Sequence, residues 1–217
     1  MDKTKRVWTY AAIMAAIIII DQIVKFLVKT NMHIGEDIPL IGEWCRLHFI
    51  ENEGFAFGMH FGGSAGKIFL TLFRIVATTV VGWYIVRQLK RDGRASLIGC
   101  LSLILAGAIG NLIDSCFYGR IFSESFYETA VLFPPEGGYA PLLQGKVVDM
   151  FYFPLFEFDW PAWVPVVGGD HFLFFSAIFN VADAAITIGV FWLLIDIVFL
   201  APKAAKAAKS EKNETNE

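Results

Sequence analysis

The chain has little of what many small enzymes rely on. Its three cysteines, Cys45, Cys100 and Cys116, are an odd count without metal-ligand spacing, which argues against a disulfide framework and a cysteine metal site. Its four histidines, His33, His48, His60 and His171, form no HxxxH or HExxH pattern, so neither a zinc peptidase nor a Cys/His nucleophile is expected. No glycine-rich phosphate loop appears; Gly62-Gly63-Ser64 and Gly168-Gly169-Asp170 read as turns. No internal repeat is evident. Only 18% of residues are charged and the net charge is −3, which gives no footing for nucleic acid.

What the chain has instead is apolar length, with 56% hydrophobic residues against the smaller share a soluble domain needs. Four runs stand out, at about 7–28, 68–86, 97–117 and 179–200. Each approaches the roughly 20 residues that cross about 30 Å of hydrocarbon at 1.5 Å per residue. Backbone groups in lipid must bond internally, so all four are expected to be helices. The predicted class is therefore membrane α-helical, in a single domain over 1–202 with a polar tail over 203–217.

The basic residues set the orientation. Lys3, Lys5, Arg6, Arg87, Lys90, Arg91, Arg94, Lys203, Lys206, Lys209 and Lys212 are 11 of the 18 and fall on one side, which predicts both termini in the cytoplasm. The connections 29–67 and 118–178 then face outward, and both are longer than a helix hairpin needs. A cleaved signal peptide is the other reading of the first run. No small-x-small site follows it, and Asp21, Gln22 and Lys25 come next, so it reads as a span. The Asn213-Glu214-Thr215 sequon in the tail is on the wrong side for glycosylation.

Polar groups inside the spans are expensive, so several at one depth mark a site. Asp21 and Lys25 share a helix face at i,i+4, which taken alone is an intrahelical ion pair. Arg74 enters at a similar depth, either snorkelling outward or neutralising a neighbouring carboxylate. The third span closes on Gly110-Asn111-Leu112-Ile113-Asp114, which alone reads as a helix end wetted by headgroups. The fourth opens on Asn180 as N-cap, with Asp183 favoured by the helix dipole. The run Gly145-Lys146-Val147-Val148-Asp149 brings a further carboxylate from the outer loop. Two carboxylates enclosed together cannot readily both ionise, and such a pair shares a proton. One can take a proton from water while the other donates to a carbonyl oxygen, with no acyl-enzyme and no cofactor.

These residues resemble the bacterial lipoprotein signal peptidases, the signal peptidase II family. The resemblance rests on Asp21-Gln22-x-x-Lys25, Asn52-x-Gly54-x-Ala56-Phe57, Gly107-x-x-Gly110-Asn111-x-x-Asp114, Gly145-x-Val147-Val148-Asp149 and Phe179-Asn180-x-Ala182-Asp183-x-x-Ile186, in family order across four spans. It implies a membrane aspartic endopeptidase of the bacterial inner membrane, with Asp149 and Asp183 as the catalytic pair. Asn52, Gly54, Asn111 and Asn180 match positions that shape the substrate site, and Asp21, Lys25 and Asp114 match its polar support. It also implies a substrate: a prolipoprotein cut just before a diacylglyceryl-modified cysteine at the outer leaflet, by a monomer working among membrane lipids. Two departures stand out. Ser115 occupies the position where the family usually has arginine, so that polar contact is either missing or supplied by Arg74 or Arg120. The segment 116–144 is also longer than the family's link, and its aromatic residues predict an added amphipathic element on the outer surface.

The outer loops carry their own patterns. Residues 38–57 alternate weakly around Trp44, Leu47, Phe49, Phe55 and Phe57, which predicts a small β-rich cradle between the first two helices. Residues 151–172, with Trp160 and Trp163, predict an interfacial flap. A proton- or ion-coupled carrier would require polar residues at every depth, whereas the inner halves of the spans are apolar except for Asp196. A membrane scaffold would make each polar group a cap or an ion pair.

Overall fold

The computed structural model describes residues 2–54 and 63–203. Phe55, Ala56, Phe57, His60, Gly62, Lys206, Lys209, Lys212 and the Asn213 sequon lie outside the described residues. The elements run α1 (Lys3–Asn31), β1 (Asp37–Ile41), β2 (Cys45–Asn52), α2 (Gly63–Lys90) and α3 (Ala95–Ile113). A π-helical turn (Asp114–Tyr118) and a single turn α4 (Gly119–Ile121) prolong α3. Then follow β3 (Val147–Tyr152), β4 (Phe156–Asp159), β5 (His171–Phe174), β6 (Ile178–Phe179) and α5 (Val181–Ile195), which closes on a second π turn (Asp196–Leu200). Among the described residues, four helical stretches are long and apolar enough to span a bilayer: Lys3–Asn31, Gly63–Lys90, Ala95–Ile121 and Val181–Lys203. The first three outrun their expected apolar runs at both ends and the fourth at its C-terminal end alone, because polar residues there continue the helix into the interface. The third does so most clearly: it passes through Asp114 instead of ending there.

The chain divides into two compact units. The first comprises Met1–Ile20, Arg74–Gly110 and Val181–Glu217. Its core is Ile85, Ile98, Cys100, Leu101 and Leu105, with Tyr10, Met14 and Leu193 packed against them. In lipid, helices gain little from apolar burial alone, so close approach at small residues does the packing. On the described residues α3 and α5 meet this way at three levels. A Cβ on Gly107 would lie 2.2 Å from the Ala182 carbonyl oxygen; one on Gly189 would lie 2.9 Å from the Cys100 carbonyl, and one on Gly99 would lie 2.9 Å from the Trp192 ring. The Trp192 indole N–H also donates to Ser96 Oγ at 2.8 Å. Asp196, the acidic group expected in an inner half, pairs with Arg94, so an ion pair accounts for it without a conduction path.

The second unit comprises Asp21–Phe73 and Asn111–Asn180. It holds a four-stranded antiparallel sheet in the order β1-β2-β3-β6 and a separate β4-β5 hairpin. The predicted cradle is therefore only half encoded between the first two helices. β3 and β6 come from the later loop, because β2 would otherwise leave one edge unpaired. Beneath the sheet, Val28, Met32, Phe49, Tyr118, Phe122, Ala130, Val148 and Met150 form one buried cluster.

The stretch 122–146, where an added amphipathic element is expected, runs as an irregular segment without helix. Pro134, Pro135, Gly137 and Gly138 deny it helical geometry. It is instead fastened by backbone hydrogen bonds, Tyr139 N to Phe122 O at 3.0 Å, Ala140 N to Gly119 O at 2.9 Å and Gly145 N to Ser115 O at 2.9 Å. Phe122 is fully buried, whereas Phe126, Tyr127 and Phe133 remain exposed.

Two expectations follow. Gly107→Ala forces its new methyl group into backbone and should lower stability by about 1–3 kcal/mol, while Gly82→Ala, whose Cβ would meet only Leu105 at 3.7 Å, stays near wild type; thermal unfolding in detergent compares them. On the hairpin, His171 Nδ1 lies 2.8 Å from Asp159 Oδ1, and its Nε2 lies 3.5 Å from Glu157. The hydrogen bond to Asp159, followed by the charges of Asp159 and Glu157, raises the His171 pKa above its ordinary 6.5. Its contribution to the hairpin is complete below that ordinary value and is lost as pH rises through the raised one. Limited proteolysis of the hairpin should therefore speed up across that window, and Asp159→Asn should flatten the dependence.

Candidate active site

The second unit gathers nearly all the expected polar residues around one buried ammonium. Lys25 reaches it from α1, where i,i+4 spacing puts it above Asp21, and all three charged groups here, Asp21, Lys25 and Asp114, are fully buried. Lys25 Nζ lies 2.9 Å from Asp21 Oδ2 and 2.7 Å from Asp114 Oδ2, and donates to Asn111 Oδ1 at 2.8 Å. The Gln22 amide donates to Asp114 Oδ1 at 3.0 Å and to Asp21 Oδ2 at 3.1 Å, while Tyr118 Oη donates to Gln22 Oε1 at 3.2 Å. The ion pair expected within α1 is thus the centre of a network joining α1 to the end of α3. Asp114, expected at a wetted helix end, sits inside it because the π turn carries the chain onward beyond that point.

From this cluster two hydrogen bonds lead to the strand that carries Asp149. The Val148 N–H donates to Asp114 Oδ2 at 3.3 Å, and the Asn180 amide donates to Asn111 Oδ1 at 3.1 Å. The same Asn180 Nδ2 donates to the Val148 carbonyl at 3.2 Å and to Asp149 Oδ1 at 2.6 Å. On the other side, Asn52 Nδ2 donates to Asp149 Oδ2 at 3.1 Å. Asp149, 1% exposed, therefore accepts one amide on each oxygen. Strand pairing makes this possible: opposite Ile50 and two pairs along from Asn52–Val147, Asp149 shares a sheet face with Asn52. Asn52 also accepts the Gly54 N–H at 2.7 Å, a tight turn that holds Gly54 at φ +84°, where a side chain would be strained.

Gly145 explains its own motif position. A Cβ there would stand 2.1 Å from the Asp114 carbonyl oxygen, so β3 can start against the end of α3 only if this residue is glycine. Ser115, where arginine was expected, is fully buried and donates to the Asn111 carbonyl at 2.9 Å. It supports the helix and supplies no charge. Asp183 lies in the first turn of α5, within the first unit, where Gly107 seats that turn against α3.

One buried ammonium, that of Lys29, is not anticipated from the sequence. Lys29, one further i+4 step along α1, pairs with Glu51 and donates to Ser125 Oγ at 2.8 Å, and both charged side chains are buried. The Asp21, Lys25, Lys29 spacing was the available signal, but its partners lie 22 and 96 residues away. Nearby, Tyr139 Oη accepts the Lys146 N–H at 2.8 Å; burial first, then the Glu51 charge, push that phenol well above its ordinary pKa, so it stays neutral.

The geometry can be set beside known proteins. A family model described as Signal peptidase (SPase) II matches residues 13–199. The chain belongs to the signal peptidase II family. That family consists of aspartic peptidases that remove signal peptides from prolipoproteins. The lipoprotein signal peptidase of Porphyromonas gingivalis is 46% identical over 186 residues, which cover 85% of this chain and 80% of that one. The lipoprotein signal peptidase of Amoebophilus asiaticus is 37% identical over 196 residues, 89% of this chain and 79% of that one. A solved bacterial membrane enzyme superposes with a TM-score of 0.58 at 25% identity, covering 89% of this chain and 94% of its own. The signal peptidase II chain described here is thus a multi-pass membrane hydrolase.

The Lys25 cluster sets a stability expectation for this peptidase. Lys25→Met removes the cation that Asp21 and Asp114 share, and should cost about 3–5 kcal/mol, seen as a large loss of folded protein in detergent and a lower unfolding temperature.

Proposed function

We propose that this signal peptidase II cleaves diacylglyceryl-modified prolipoproteins on the N-terminal side of the lipidated cysteine, with Asp149 and Asp183 as the catalytic pair. The observation that carries this reading is the holding of Asp149: a buried carboxylate bound on each oxygen by a neutral amide, one of which, Asn180, leads into α5 three residues before Asp183. Asn52, Gly54, Asn111 and Asn180 shape the site for substrate, and Asp21, Lys25 and Asp114 support it.

The ionised member of the pair takes a proton from water as the oxygen attacks the scissile carbonyl carbon. The protonated member donates to the carbonyl oxygen and a tetrahedral diol forms. Collapse re-forms the carbonyl as one diol hydroxyl returns its proton to the carboxylate that donated earlier; the C–N bond breaks, and the carboxyl that gained the water proton passes it to the leaving amine. The proton count belongs to the pair, not to either residue. No cofactor enters these steps.

The distribution of basic residues supports a monomer with both termini in the cytoplasm of a bacterium and the site in the outer leaflet of its inner membrane. There the signal peptide enters as a membrane helix and the lipid stays among the membrane lipids. A scissile bond at that depth need not leave the interface to be cut.

The test is cleavage of a diacylglyceryl-modified prolipoprotein by the purified enzyme in lipid, beside Asp149→Asn and Asp183→Asn. The wild type should cleave, and each folded variant should lose at least about a thousandfold in kcat. Near-normal turnover by either variant would remove that residue from the chemistry.

A further inference from the structure

The long segment before β3 encloses a charge pair that the reaction scheme does not use. Lys29 of α1 and Glu51 of β2 meet in a box whose other walls come from 122–146. The Lys29 ammonium lies 4.9 Å from the ring centre of Tyr139, 5.5 Å from that of Phe122 and 5.9 Å from that of Phe49, and donates to Ser125 Oγ at 2.8 Å. Lys146 approaches the other Glu51 oxygen at 3.5 Å. Two charges withdrawn from water are costly unless paired and bonded this fully, and swapping such a pair for apolar residues often stabilises a protein. The pair's presence therefore asks for a reason other than stability.

Its place in the sheet supplies one. Glu51 stands opposite Val148, and Asn52 opposite Val147. Alternation along a strand puts Glu51 and Val148 on one face and Asn52 and Asp149 on the other. Lys29 therefore grips β2 from behind at the residue next to the one that bonds Asp149 from the front. Fixing Glu51 fixes the height and twist of Asn52, on which the 3.1 Å bond to Asp149 depends. The backbone reinforces the grip: Ala130 N donates to the Lys29 carbonyl at 3.0 Å, and Ile34 N to that of Ser125 at 2.8 Å.

We infer that Lys29 and Glu51 are positioning residues for Asp149, and that the long 122–146 segment is there to enclose their pair and keep β2 in register. This rests on the reading of Asp149 as catalytic. A positioning role acts on the chemical step more than on binding, so it separates kcat from KM.

The experiment measures kcat, KM and unfolding temperature, in lipid with the diacylglyceryl-modified substrate, for Lys29→Met/Glu51→Leu, Ser125→Ala and Asp149→Asn. The double variant leaves no unpaired member of the pair and should fold. Its kcat should fall at least about tenfold with KM within about threefold of wild type. Ser125→Ala keeps the pair and loosens the ammonium, and should lower kcat about threefold at unchanged KM; it decides the matter if the double variant does not fold. Wild-type kcat in a folded double variant, or in Ser125→Ala where that is the deciding variant, overturns the inference, as does a change confined to KM. If Asp149→Asn remains active, the reading of Asp149 itself has failed. If Asp149→Asn is dead and the double variant turns over normally, only the positioning role has failed.

Discussion

The second compact unit depends on a lysine that has no access to water. The Lys25 ammonium gathers two carboxylates and an asparagine carbonyl within 2.9 Å, and each of those partners goes on to fix something else. Asp114 receives the β3 backbone at Val148, and Asn111 receives Asn180, which in turn holds Asp149. The cost of burying charge is large, and the pairing offsets it only when the geometry is held closely. That requirement makes the cluster a rigid reference for the strand and the loop before α5. A peptidase needs such a reference, because a carboxylate misplaced by an ångström loses much of its effect.

The chain uses a different kind of contact for its other carboxylate. Asp183 sits at the start of α5, and that turn is placed by the absence of a side chain: Gly107 lets the Ala182 carbonyl approach to within the space a methyl would occupy. Polar pairing fixes one half of the expected catalytic pair and steric closeness fixes the other. Both solutions suit a membrane, where apolar burial alone gives helices little reason to choose one register over another.

Much of this was legible in the sequence. Apolar length set the four spans to within a few residues, and the motif residues around Lys25 were visible because charge in a span needs a reason. Asn180 was read as a cap; its position just before α5 was right, but the amide also serves Asn111 and Asp149, which no local pattern reveals. The aromatic residues of 122–146 suggest an amphipathic element but not its path, which paired prolines and glycines make irregular. β3 and β6 joining the first loop's sheet, and Lys29 finding Glu51, are contacts across long sequence separations that periodicity does not encode.

The π turn at Asp114–Tyr118 has a consequence for how this chain can vary. Within it and just after it, the carbonyls of Ser115, Cys116 and Gly119 accept the N–H groups of Gly145, Leu143 and Ala140, so main-chain atoms make those fastenings between the returning segment and the helix. Such fastenings do not depend on side-chain identity. Apart from the glycines and the few inward residues, the segment is therefore free to drift in sequence while keeping its path. A chain sharing the path need share little of its spelling.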